Sequence, residues 1–577
     1  MELLFYDVES FKYDSLIVFK DINNNLIAKF WIDNKDVCKD IHNVIEGKVL
    51  IGYNNYSYDD IILGYMVKEP LCDPELIKSA NDDLIDGKPN TRKPIKHDTL
   101  DTFQQISLNY PSLKMIEGNM GKSILESEIP FDIDRKLTPE ERETVEEYCE
   151  YDVETTINVY KLREKSYFEP KRQLVKMLGL GQVCRFNTTT MIAQILSPNK
   201  KVSRWQKKDI PQEFWKWWNR GHMPNEVLNL WDEMLESEET VTGKGKNKTL
   251  DAFGCKFVFG MGGLHAAPKK PGRYKNIKLA DVGSMYPSII VKLGALAEAT
   301  RKYDEIRKER LEIKHTDKVR ANALKLILNS TYGLFKNRYS TLFNPYASAI
   351  VCMYGQMVLY RLCEMLYKAG YNLINVNTDG VAFEDTGDGY EEIMKEWEQE
   401  VDGLTLDIDE FDLWIQKDVN NYVARTGNHV KVKGGEVKWY AEDNLFGNNN
   451  ARILHIALVE KLLNNRMIAL TVSENLDKPN LFQYVLRAGS TYLGTCDPSG
   501  QLLPQKVNRV FATTKKVEGR TKLYKLRPDG GKVMYADTPE NMYMYNGDLS
   551  DMNNFKDIID TQHYIDIVEK RLEGWPT

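Results

Sequence analysis

With 577 residues the chain is too long for one hydrophobic core, which predicts about three to five domains or subdomains. It is 42% hydrophobic and 28% charged with a net charge of −7, so it is ordinary globular material, and any track for nucleic acid must be a local basic groove. No two of its eight cysteines have C-x-x-C spacing, which argues against a zinc or iron–sulfur site and for reduced thiols in a cytosolic protein. MELLFYDVES lacks the pattern of a signal peptide, and no run approaches the ~20 apolar residues of a membrane span.

Residues 1–165 alternate strand-like runs (ELLFYDV, SLIVFKD, LIAKFWI, KVLIGY) with helical stretches, the signature of an α/β or mixed sheet. Asp7 and Glu9 alternate at the end of the first strand and so project to one side. NNYSYDD follows with Asn55 and Asp59, Asp60 being an alternative to Asp59. SLKMI begins at Ser112 and Leu113, and Ser112 also suits a turn or helix cap. Thr138, Pro139 and the acids after them predict the start of a long helix, on which Tyr148 and Asp152 lie one turn apart. Four carboxylates in this order can bind two divalent ions, and the tyrosine can position an attacking water. Residues 166–250 are less regular. They hold Trp205, Trp215, Trp217 and Trp218 among basic residues, and TGKGKNKT reads as a flexible basic loop.

GMGGLHAA supplies Gly262 and Gly263, where a DNA strand can approach the backbone closely, and His265, read as a structural histidine. LADVGSMYPSII reads as a strand ending at Asp281 that turns into a helix. Residues 302–335 read as two helices joined around His315–Asp317. Arg310 and Lys314 share a face of the first, with Arg307 as a competitor, and Lys325 and Asn329 share a face of the second, with Gly333 expected to end it. NVNTDGVAF reads as two strands around a tight turn holding Asp379. Beyond it lie NNYV, with Tyr422, and VKVKGG, with Lys433; a helix is expected near ILHIALVEKLLNN. Lys506, Arg509, Lys515, Lys516 and Arg520 read either as a duplex-phosphate track or as a solvated basic face.

Two carboxylates flanking a helix with a lysine and an asparagine are the parts of nucleotidyl transfer by a two-metal site. LADVGSMYPSII, KLILNSTYG and NVNTDGVAF, in that order, resemble motifs A, B and C of family B DNA polymerases. D-x-E, N-x-x-[FY]-D and Y-x-x-x-D upstream resemble the three motifs of DnaQ-like 3′–5′ exonucleases. The resemblance implies Asp281, Val282 (through its carbonyl) and Asp379 as metal ligands of one site, and Asp7, Glu9, Asp59 and Asp152, with Tyr148, as the other. It implies Mg²⁺ or Mn²⁺, two ions per site. Ser284, Met285, Tyr286, Arg310, Lys314, Lys325 and Asn329 would bind the incoming nucleotide, with Tyr286 excluding a ribose 2′-OH. Gly262, Gly263, Asn55, Ser112, Leu113, Tyr422 and Lys433 would contact DNA. The motif C segment departs from the usual D-T-D-S in Asn377 and Gly380, Gly260 and Asn420 depart from the flanking motifs, and Met285 stands for a leucine.

The implied fold is a multidomain α/β and α+β chain, an RNase H-like exonuclease domain followed by a right-hand palm, fingers and thumb. The expected divisions are exonuclease 1–165, connecting region 166–275, palm 276–300 and 336–430, fingers 301–335, and thumb and C-terminal region 431–577. Partners would be primer–template DNA and deoxynucleoside triphosphates, with room for accessory replication proteins, in a monomer in a bacterial host's cytoplasm. Asn329 follows Asp281 by 48 positions and Asp379 follows Asn329 by 50, which leaves little room for insertions that clasp a priming protein. A small phage or prophage replicase extending an ordinary primer is therefore expected. The competing readings are a protein-primed polymerase of the same family and a nuclease whose polymerase half has become a DNA-binding module, the latter motivated by Asn377 and Gly380.

Overall fold

The computed structural model of the chain describes residues 2–33, 36–68, 71–88, 94–127, 129–198, 200–387, 389–447 and 451–576. They form two compact units: residues 1–187, 443–453 and 472–564, and residues 188–442, 454–471 and 565–577. The stretch 431–577, expected as one region, is thus divided between them.

The first unit is built on a five-stranded sheet in the order Leu26–Ile32, Ser15–Lys20, Leu3–Ser10, Val49–Gly52, Thr99–Asp101. The first three strands run antiparallel and the last two run parallel to Leu3–Ser10. Alternation along Leu3–Ser10 splits the core. Leu4, Tyr6 and Val8 pack with Ile41, Ile62 and Ile77 on one face, and Phe5 packs with Val145, Cys149 and Val153 of a long helix on the other. That helix, Pro139–Arg163, begins where expected. Thr138 Oγ1 accepts from the Glu141 N–H at 3.2 Å, and the Glu141 carboxylate accepts from the Thr138 N–H at 2.8 Å. Residues 472–564 add a four-stranded and a three-stranded sheet. Arg509, one of the residues read as a phosphate track, is instead fully buried; its guanidinium donates to the carbonyls of Gly118, Lys122 and Gly547. This corrects that reading, because a buried guanidinium with three carbonyl partners cannot reach a duplex.

The second unit is built on a nine-stranded antiparallel sheet. Its order is His429–Lys433, Asn421–Thr426, Leu406–Asp418, Gly272–Val282, Gly380–Glu384, Leu373–Asn377, Gly263–Pro268, Cys255–Gly260, Asn247–Ala252. The expected flexible loop at 242–249 therefore already enters a strand at Asn247. Helix Pro345–Lys368 is long and apolar enough by composition to cross a membrane, contrary to the reading that no run is; 89% of its apolar window is buried, as befits a core helix. Helices Thr300–Ile313 and Lys318–Leu334 form the expected pair, the second capped by Asp317, whose side chain accepts from the Arg320 N–H at 3.0 Å. The second helix runs one residue past Gly333, which is therefore not its terminator. The tryptophans of the 205–218 segment are packing residues: Trp215 and Trp218 pack around Phe214, and Trp218 reaches Trp231.

Candidate active sites

In the first unit, Asp7, Glu9, Asp59 and Asp152 line one cavity of about 400 Å³ with Tyr53 and Leu113. Strand alternation places Asp7 and Glu9, the first turn of helix Asp59–Met66 places Asp59, and the long helix places Tyr148 and Asp152. Ligand atoms of Asp7, Glu9 and the Cys149 thiol all lie within 4.8 Å of one another. Burial pushes the Asp7 carboxyl up to about 8, reinforced by Asp152 and opposed by Lys114. Glu9 and Asp59 are also driven well above the carboxylate range, first by burial and next by Asp7.

Hydrogen bonding separates Asp59 from Asp60, both of which are buried. Asp60 is fully buried, and it accepts hydrogen bonds from Tyr6 (2.5 Å), Asn55 (2.9 Å) and Thr99 (2.8 Å) as well as from Arg185. It holds the fold, while Asp59 lines the cavity. Asn55, expected to touch DNA, is itself fully buried with its amide on Asp60, so that expectation is corrected. Ser112 caps helix Leu113–Asn119, accepting from the Met115 N–H at 3.4 Å. Sequence reasoning missed Lys114. Only 9% exposed, its ammonium bonds Asp152, lies 3.3 Å from Glu117 and sits 4.3 Å over the Tyr148 ring. It neutralises one acid of the cluster and fixes the tyrosine. The one available signal was its place inside SLKMI.

A stability prediction follows from the raised acids. In the metal-free protein, a carboxyl with its folded pKa at about 8 binds more protons than in the unfolded chain between about pH 4 and 8, so its contribution to stability falls as pH rises through that window. Asp7→Asn removes that ionisation. Without divalent ions, the Tm of Asp7→Asn minus that of the wild type should therefore increase from pH 5 to pH 8, as read by thermal unfolding. A flat difference would mean that Asp7 is not a destabilised carboxylate.

In the second unit, Asp281 is the next-to-last residue of strand Gly272–Val282 and Asp379 sits in the turn between Leu373–Asn377 and Gly380–Glu384. Asp281 pairs across the sheet with Gly380, and the Val282 N–H donates to the Asp379 carbonyl at 2.8 Å, which locks the two acids side by side. A Cβ on Gly380 would lie 2.0 Å from an Asp281 carboxylate oxygen. A larger residue at this departure from the family pattern would need the Asp281 carboxylate to turn aside. Asn377 donates its amide to the Val419 carbonyl at 3.2 Å, a contact in which a carboxylate would be repelled. Burial raises the Asp281 carboxyl to about 6; Lys431 opposes the shift, and Asp379, Asp409 and Asp407 add to it. Burial likewise raises Asp379, with Lys433 and Lys431 opposing.

Beside the acids lies a cavity of about 230 Å³ lined by Ser284, Met285, Tyr286, Asn329, Tyr332 and Asp379. Tyr286 stacks on Tyr332 with ring centroids 4.5 Å apart. Backbone strain flanks both acids: Ser284 has φ 49° and Thr378 φ 64°, left-handed values that cost energy for a residue with a Cβ. Met285 is 3% exposed and its methyl lies where a Cβ on Gly355 would stand 2.4 Å away, so its side chain serves the core. Lys325, Arg310 and Lys314 are not among the residues lining the cavity. Lys325 and Lys314 are exposed and Arg310 is half-buried, none of them in an ion pair with a described residue. Arg307, their competitor, is held by Asp304 at 2.8 Å.

Two DNA-contact expectations are corrected here. Gly263 is buried, and a Cβ there would stand 3.1 Å from the Thr378 side chain. It lets a hairpin approach the Asp379 turn, while Gly262 at the tip is exposed. Tyr422 is 7% exposed and stacks on Trp414 at 4.3 Å, so it is a wall of the sheet. Lys433 is exposed and within electrostatic reach of Asp379 and Asp281.

If this cavity takes the sugar of an incoming nucleotide, as the motif resemblance implies, Tyr286→Ala should raise incorporation of ribonucleotides relative to deoxynucleotides, because the ring lines it. Competition between the two nucleotide classes in single-turnover extension measures it. Unchanged discrimination would move the gate to its stacking partner, Tyr332.

No protein-family model matches the chain. Among curated proteins, DNA polymerase 2 of Saccharolobus solfataricus is 29% identical over 203 residues, covering 30% of this chain and 32% of that protein. The DNA polymerase alpha catalytic subunit of Mus musculus is 25% identical over 218 residues, covering 30% of this chain and 14% of the other. The matches thus span about a third or less of those relatives' lengths. A family B DNA polymerase structure from Pyrobaculum calidifontis aligns with 99% of this chain and 77% of its own at 13% identity, with a TM-score of 0.45. Over about 30% of its length, then, the chain is similar in sequence to DNA polymerases.

Proposed function

We propose that the chain is a DNA-directed DNA polymerase of a phage or mobile element, with a 3′–5′ proofreading exonuclease in its first unit. The observation that carries the polymerase reading is the junction of Asp281 and Asp379 beside a cavity lined by Tyr286 and Asn329. Both sites suit hard divalent cations: their donors are carboxylate oxygens, and the acids are held in protonated-favouring surroundings that a bound cation would reverse. Asp281 and Asp379, with the Val282 carbonyl, would hold Mg²⁺ or Mn²⁺ in one site, and Asp7, Glu9, Asp59 and Asp152 in the other. When bound, such ions neutralise charge on the phosphoryl group being transferred.

The chain's own residues supply the rest. Tyr286 and Tyr332 wall the sugar side of the cavity, and Asn329 offers an amide at its edge. Lys325, Arg310 and Lys314 present cations for a triphosphate from the helical pair. In the nuclease, Tyr148 is held by Lys114 for a water to be placed against a phosphodiester. The mixed five-stranded sheet, with a long helix on one face, supports an RNase H-like reading of the first unit.

The test is extension of an annealed oligonucleotide by purified protein with Mg²⁺ and deoxynucleoside triphosphates. Efficient synthesis with no partner protein is expected, weakening steeply as salt rises through counterion release. Synthesis begun only on a protein hydroxyl would replace this reading with a protein-primed one. No synthesis under any priming would leave a nuclease with a DNA-binding second half.

A further inference from the structure

Helix Pro345–Lys368 is buried along nearly all its length, so a polar group on it needs a partner inside the protein. Ser348, Cys352 and Gln356 recur every four positions and share one face, with Gly355 beside them. That face lies against the stacked rings of Tyr286 and Tyr332. The Tyr286 hydroxyl donates to the Cys352 thiol at 3.8 Å, and the buried Tyr332 hydroxyl meets Ser348 and Cys352. A Cβ on Gly355 would stand 3.3 Å from the Tyr286 ring, so the ring lies close against the helix there.

Cys352 joins these contacts. It is fully buried, and burial pushes its thiol pKa up, so the sulfur keeps its proton. That proton goes to the Gly260 carbonyl at 3.6 Å, which also accepts from the Gln356 amide at 3.1 Å. With its one hydrogen spent, the sulfur can only accept, from Tyr286 and from Gln356 at 3.3 Å. Gly260 leads into the hairpin whose Gly263 abuts Thr378, and the Thr378 N–H donates to the Leu264 carbonyl at 2.8 Å. One chain of contacts therefore runs from the Tyr286 hydroxyl, through the sulfur and the hairpin, to the residue before Asp379.

We propose that Cys352 is a positioning residue for sugar selection: its sulfur anchors the Tyr286 hydroxyl and so fixes how far that ring stands into the cavity beside Asp379. A ring held only by its own backbone and its stack on Tyr332 would lean away from a bulkier sugar. The anchor at its far end removes that freedom. The proposal rests on the reading of this cavity as the place of the nucleotide sugar, and it names the residue that sets the cavity's tolerance.

The test is equilibrium competition between dATP and ATP for the full chain on an annealed primer–template whose next template base is thymine, with Ca²⁺ in place of Mg²⁺ so that binding is read without turnover. Cys352→Ala should lower the preference for dATP by roughly three- to tenfold, the range for one hydrogen bond between uncharged groups. The loss should come from tighter ATP binding, with the dATP constant moving less. Tyr286→Phe removes the other partner and should do the same, and the double variant should fall no further than either alone. Cys352→Ser keeps a donor and an acceptor and should stay within about twofold of the wild type.

Full preference for dATP in Cys352→Ala or in Tyr286→Phe overturns the proposal. So do additive losses in the double variant, or a loss in Cys352→Ser equal to that in Cys352→Ala, which would make the sulfur a packing atom only. Should the Tm show that Cys352→Ala has lost its fold, Tyr286→Phe and Cys352→Ser decide. The two readings fail separately. A wild type that binds ATP and dATP alike sinks the sugar reading. One whose preference falls in Tyr286→Ala but not in Cys352→Ala keeps that reading and sinks only the role given to the sulfur.

Discussion

Asp281→Ala and Asp379→Ala should each abolish primer extension, by about 10³-fold or more, while degradation of single-stranded 3′ ends continues. The backbones that carry the two acids are joined by one hydrogen bond and by cross-strand pairing, and the Asp281 carboxylate lies close beside Gly380. Removing either leaves the other without the partner that shapes a shared cation site. The loss should appear in single-turnover extension rates at saturating nucleotide, with DNA affinity nearly unchanged. Near wild-type extension in either variant would sink the site. Gly380→Ser is a graded companion: its side chain would displace the Asp281 carboxylate, and a reduced rate partly recovered by Mn²⁺ is expected.

The second large effect is the converse. Asp7→Ala combined with Glu9→Ala should remove 3′ degradation, again by about 10³-fold or more, and leave extension intact. Both side chains leave one strand on one side, and with them go two of the four acids lining that cavity. Time courses on a labelled single-stranded oligonucleotide and on an annealed primer separate the two activities. Degradation that persists would place the nuclease acids elsewhere. Loss of extension as well would mean that the double substitution damages more than the cluster, which the Tm of the variant would reveal.

The departures from the family pattern at Asn377 and Gly380 look in the sequence like signs of a decayed site. In the folded chain each has a local cause. Asn377 donates its amide to the Val419 carbonyl, and Gly380 leaves the space beside it to the Asp281 carboxylate. Neither change removes Asp379 from the cavity.

What the sequence determined by itself was local. Alternation set Asp7 and Glu9 on one side of a strand, Thr138 with Pro139 started the long helix, and Asp317 separated the helical pair. These follow from backbone periodicity and capping, which act over a few residues and are written in neighbouring side chains. The aromatic spacing in NNYSYDD favoured Asp59 over Asp60, but the physical reason was not legible, since both begin the same helix. Only the packing of Tyr6, Thr99 and Arg185 around Asp60 turns one inward and leaves the other in the cavity. Asn55, Gly263, Tyr422 and Arg509 read as surface contacts because their residue types permit it. Burial, a sum over segments distant in sequence, made them structural instead. Lys114 was invisible for the same reason: its partners Asp152 and Tyr148 lie on another helix, and only tertiary packing brings an ammonium into a cluster of acids.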